Sequence, residues 1–147
     1  MHMPNAYDMI RWIHFLCAGL AGGGMVMCLM VSGFEDTRED LRGLAAALWS
    51  RVVAWCLRIA VLVGLVLVGW MSRLGGNPFT DYWLWVKLVL VLVLFGLSES
   101  APKALAAGKR GGALLAMLLF LLVTFVTFNR GVFGSRPAAP AVMAPAK

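Results

Sequence analysis

Four stretches of this chain, residues 9–33, 48–71, 83–98 and 112–129, are apolar over close to the length a bilayer core demands of a helix. That length is roughly 17–25 residues. Lipid offers no water to a backbone N–H or C=O, so such runs must satisfy their own hydrogen bonds as helices. The expected fold class is therefore all-α and integral to a membrane, an antiparallel four-helix transmembrane bundle. Composition agrees, because 61% of the 147 residues are hydrophobic and only 14% are charged. A soluble domain of this size has no interior large enough to hide that surface. The N-terminal "MHMPNAYDMI" lacks a basic segment ahead of its apolar run, so the first stretch is read as a retained helix.

The connections are short. "GFEDTREDLRG" is charged and leads into the second helix, "SRLGGNPFTDY" is a Gly/Pro turn, and "SESAPKALAAGKRGG" is a short basic loop. Residues 1–134 form the four-helix domain, and residues 135–147, "SRPAAPAVMAPAK", form a Pro/Ala-rich extended tail that only a partner would order. Loops 1 and 3 with the adjoining helix starts hold Arg38, Arg42, Arg51, Lys103, Lys109 and Arg110. The other side holds Arg11, Arg73, Arg130, Arg136 and Lys147. The compact "GKRGG" beside the last helix favours an inner, cytoplasmic-type membrane with loops 1 and 3 in the cytoplasm and both termini outside. The net charge of +6 fits basic loop ends against anionic lipid and does not suggest nucleic acid. Cys17, Cys28 and Cys56 all lie in apolar stretches without CxxC spacing, so no disulfide framework is expected.

The first apolar stretch is not a plain anchor. At 100° per residue His14, Cys17, Ala18, Ala21, Met25 and Cys28 share one stripe, with Gly19 and Gly23 on the opposite side as an expected close helix contact. Three readings stand for His14. It is a hydrogen-bonded packing residue, an axial ligand to a haem or chlorin with small neighbours making room, or part of a soft copper site with Cys17 and Met25. Lys87, early in the third stretch, lies on the same side as His14. It either snorkels beside Trp83 and Trp85 or faces the bundle and meets an anion such as a cofactor carboxylate. Arg58 lies seven residues beyond Arg51, about 10 Å deeper. A lipid headgroup, cation–π packing on Trp55, a propionate or a neighbouring subunit's carboxylate would each account for it. Asn129 and Glu99 are helix-end markers. The sequence has no paired-carboxylate set, nucleophile triad or phosphate loop, so no catalytic residue is assigned.

"IHFLCAGLAGGGMVMCL", "LWSRVVAWCLRIAVLVGLVLVGW" and "YWLWVKLVLVLVLFGL" resemble the first three helices of the four-helix unit in the copper-resistance D (CopD) family. HemJ-type protoporphyrinogen oxidases share a similar plan, with a histidine in helix 1 and a lysine opening a Leu/Val run in helix 3. The resemblance spans about residues 10–130, and His14 and Lys87 are the matching positions. It implies copper handling in the one case and a haem-linked redox site in the other. "MCLMVSGFED" stands where the HemJ-like group closes helix 1 with Pro-Arg-Leu and a further histidine, and "FGLSES" where it has an aromatic-His pair. Taken together, the expectation is a small accessory subunit of a membrane redox complex, contacting lipid and other membrane subunits, with haem, chlorin or copper as the cofactor in question. Copper handling and HemJ-type oxidation are the alternatives.

Overall fold

The computed structural model describes residues 6–74, 78–80 and 82–129. Five α-helices carry the fold: α1 (Ala6–Glu35), α2 (Leu44–Leu48), α3 (Ala54–Arg73), α4 (Tyr82–Ala106) and α5 (Gly111–Phe128). Between α2 and α3 lies a π turn, Trp49–Val53, with helical backbone angles at both junctions, so α2, the π turn and α3 make one continuous span. Short 3-10 turns fill loop 1 (Glu39–Leu41) and loop 2 (Pro78–Thr80). No strand occurs among the described residues. The four resulting spans are each long and apolar enough to cross a membrane. The expected tail, 135–147, lies outside the described residues.

Boundaries differ from expectation most in α4, which runs through "SESAPKAL" to Ala106 with Pro102 inside it. A proline there removes the N–H that would bond the Ser98 carbonyl one turn back. The vacancy is filled from another helix, because the Trp49 indole N–H donates to the Ser98 carbonyl at 3.0 Å and lies 3.2 Å from Ser98 Oγ. α4 then ends where Gly108 takes φ +71°. The Gly108 N–H bonds the Leu105 carbonyl and the Lys109 N–H bonds that of Ala104, a Schellman closure. At loop 1, Gly43 at φ +82° turns the chain into α2. The Glu35 carboxylate accepts the Ala45 N–H at 2.7 Å, covering an unpaired donor of that helix start.

α1 packs along the second span, with His14 against Ala60 of α3 and Gly24 against Val53 of the π turn. α4 packs along α5, with Ala104 facing Gly112 and Trp83 bonded to the Val126 carbonyl. Phe120 of α5 meets Gly22 of α1. The core of Met25, Cys28, Trp49, Val53, Leu57 and Ala101 sits towards loops 1 and 3. Outward, each span presents large apolar side chains such as Leu16, Leu62, Leu92 and Leu118, the exterior that lipid contact requires.

The close helix contact does not fall on Gly19 and Gly23. A Cβ at either would meet nothing of this chain within 4 Å. Gly22 and Gly24 are the pressed positions, with a would-be Cβ 2.6 Å from Phe120 and 2.9 Å from Val53. The reason is rotational: Ala21, Met25, Cys28 and Ser32 are the buried residues of α1. The sulfur-bearing stripe is thus itself the packing face, flanked by the two glycines that let neighbours in.

A histidine site on the open half of the first seam

Packing along the α1–α3 seam is uneven. No residue of α1 before Ala21 is buried, and none of α3 after Ala60. His14 lies in this looser half. Its Nδ1 is 2.8 Å from the Ala60 carbonyl oxygen. A carbonyl only accepts, so Nδ1 carries the proton. In a neutral ring Nε2 then holds the lone pair, the state in which imidazole ligates a metal. A backbone carbonyl behind Nδ1 is also the usual means of fixing a ligating imidazole's orientation. Gly64, one turn beyond Ala60, makes the position possible, since a Cβ there would stand 3.1 Å from the His14 ring. Phe15 meets the imidazole edge-on, its ring centre 5.9 Å away.

Lys87 belongs to the same half. It is partly buried, with Nζ 5.4 Å from the centre of the Trp83 ring. Trp83 is held by its bond to Val126. Among the described residues no carboxylate forms an ion pair with Lys87. Two open hollows lie on α3 and α4, and neither is lined by His14 or Lys87. One of about 400 Å³ is lined by Val66, Gly69, Trp70 and Arg73, the other of about 300 Å³ by Tyr82, Trp85, Val86 and Val89. Among the described residues neither Nε2 of His14 nor the Lys87 ammonium is engaged by a carboxylate, so the first can offer a bond to a metal and the second a bond to an anion.

The other candidates are distributed differently. Cys17 stands one turn from His14 on the same helix and is partly buried. Met25 lies eleven residues beyond His14, about 16 Å along the axis, fully buried in the core. His14, Cys17 and Met25 are therefore strung along a face and not gathered around a point. No group of three or more His, Cys, Asp or Glu side chains comes together among the described residues. Arg58 is in the other half. Its Nε and Nη2 donate to the two carboxylate oxygens of Glu99 at 3.0 and 2.7 Å, and its guanidinium lies 5.2 Å from the centre of the Trp55 ring. The carboxylate partner thus comes from α4 of the same chain.

Sequence reasoning missed the backbone half of the histidine site, Ala60 and Gly64. Nothing in "RIAVLVGLVLVGW" marks which carbonyl an imidazole on another helix will reach. Comparison with known protein families, with curated proteins and with solved structures finds no match.

Proposed function

We propose that the chain crosses a membrane four times as an antiparallel bundle and serves as a non-catalytic accessory subunit of a membrane redox complex, respiratory or photosynthetic. In this reading His14 holds a haem or chlorin through Nε2, and Lys87 meets an acidic group of the same ligand. The up-and-down course is supported by contact order, since His14 meets Ala60 while Gly24 meets Val53, and Trp83 meets Val126 while Ala104 meets Gly112. Both ends of the chain then share one side, with the basic loops 1 and 3 on the cytoplasmic side of an inner membrane.

The observation that carries the ligand reading is the commitment of His14 Nδ1 to the Ala60 carbonyl, which leaves the Nε2 lone pair to face a metal. The subunit role is supported by the sequence, which holds no acid/base pair or nucleophile set to run a reaction alone. Purification in mild detergent, followed by an absorption spectrum and metal analysis, tests both parts. A Soret or chlorin band lost in His14→Ala, with membrane insertion retained, is the expected result. A band that survives the substitution rules out ligation by His14. Copper without a macrocycle band would replace this reading with copper handling through His14 and Cys17.

A further inference from the structure

The α3–α4 face towards loops 1 and 3 carries an unusual outward patch. Arg51, Trp55 and Arg58 recur at helical spacing along the second span. Arg51 and Trp55 are exposed, with Trp55 57% exposed. Arg58 and Glu99 keep 38% of each side chain accessible although both lie in stretches that read as membrane-spanning. The Arg58–Glu99 pair uses Nε and Nη2 only, so Nη1 is unspent. Among the described residues no acceptor takes the Trp55 indole N–H, and Arg51 has no ion pair. Among the described residues the patch therefore holds two cations against one carboxylate, Glu99, with donors to spare. Its depth is decisive. Arg51 lies near the end of the apolar run, and Arg58 only about 10 Å further in, within reach of the headgroup level for a snorkelling side chain. Val52, Ile59 and Leu62 beside it are outward and apolar, a surface for acyl chains.

We propose that Arg51, Trp55 and Arg58 form a binding site for an anionic phospholipid, with the lipid phosphate bound by the guanidinium groups and the indole N–H. A phospholipid fits better than a protein carboxylate. Its phosphate already resides at this depth and its chains cover the apolar flank, whereas a partner's carboxylate would have to be desolvated to arrive. Glu99 acts in the opposite sense, by holding part of Arg58.

The test is tryptophan quenching in reconstituted vesicles of brominated phosphatidylglycerol mixed with plain phosphatidylcholine, and the reverse. The chain has six tryptophans, so the Trp55 share is taken as the difference between the native chain and Trp55→Phe. Trp55 should be quenched preferentially by the anionic lipid. Arg51→Gln should lower that preference by about fivefold, the worth of one basic side chain near an anionic surface. Glu99→Gln should raise it, because the whole Arg58 guanidinium becomes available. Circular dichroism on each variant confirms that the helices persist. Equal quenching by both lipids, or a preference unchanged in Arg51→Gln, overturns the proposal. So does protection of Trp55 from both lipids together with cross-linking of two copies through this face, which would make a second copy the occupant.

Discussion

At the scale of single residues, the fit of His14 against Gly64 is the most exposed to test. Gly64→Ala would place a methyl 3.1 Å from an imidazole already tied to Ala60, so the ring must give by a few tenths of an ångström at the expense of its bond to that carbonyl. Overpacking of this kind costs roughly 1–3 kcal/mol. Both variants gain the helix preference of alanine, about 0.5–1 kcal/mol, but Gly23→Ala meets nothing within 4 Å and has no overpacking to set against it. Thermal unfolding in detergent should therefore move in opposite directions for the two variants, down for Gly64→Ala and not down for Gly23→Ala. The comparison also marks what one sequence can tell. Periodicity placed His14, Ala21, Met25 and Cys28 on one stripe, and that stripe is the inward one. It gave Gly19 and Gly23 the tight contact because small residues four apart can admit a neighbour. Which glycines are used depends on the partner's side chains, and Phe120 and Val53 choose Gly22 and Gly24.

At the scale of elements, α4 teaches the most. "SESAPK" reads as a loop, since serine, glutamate and proline all weaken a helix interior. The helix continues because the defect that Pro102 introduces is repaired from the second span. No local signal in either segment announces that repair. It is testable as a cycle. Trp49→Phe keeps the bulk but leaves the Ser98 carbonyl short of a donor, a loss of about 1–3 kcal/mol for a buried group. Pro102→Ala restores the N–H within α4. In the Pro102→Ala background Trp49→Phe should therefore cost less, with a coupling on the order of 1 kcal/mol. Additive unfolding shifts would mean that the indole contributes shape alone. The span boundaries, by contrast, were legible to within a few residues at most ends, because hydrophobic length is a property of the segment itself.

At the scale of the whole molecule, the loop 1 and 3 end is fastened and the other end is less so. Arg110, at the start of α5, donates to the carbonyl of Ser32 in the last turn of α1 and to the Asp36 carboxylate just beyond it. A cation at a helix C-terminus is also favoured by the helix dipole. Arg110→Ala should lower the unfolding midpoint in detergent by more than Arg42→Ala, whose ion pair among the described residues is with exposed Glu39. Equal shifts would reduce the clasp to an ordinary surface pair. Four apolar runs were enough to foresee the bundle, but not this clasp, since Asp36 and Arg110 are 74 residues apart in the chain. The thinning of the α1–α3 seam beyond Ala21 and Ala60 has a kinetic meaning. Opening that stretch breaks few side-chain contacts, so it belongs to the low-energy fluctuations of the native state and does not await global unfolding. If the proposed ligand reading holds, a flat ring compound held by His14 would exchange with the surrounding lipid on the timescale of those openings, while the far end held the helices in register.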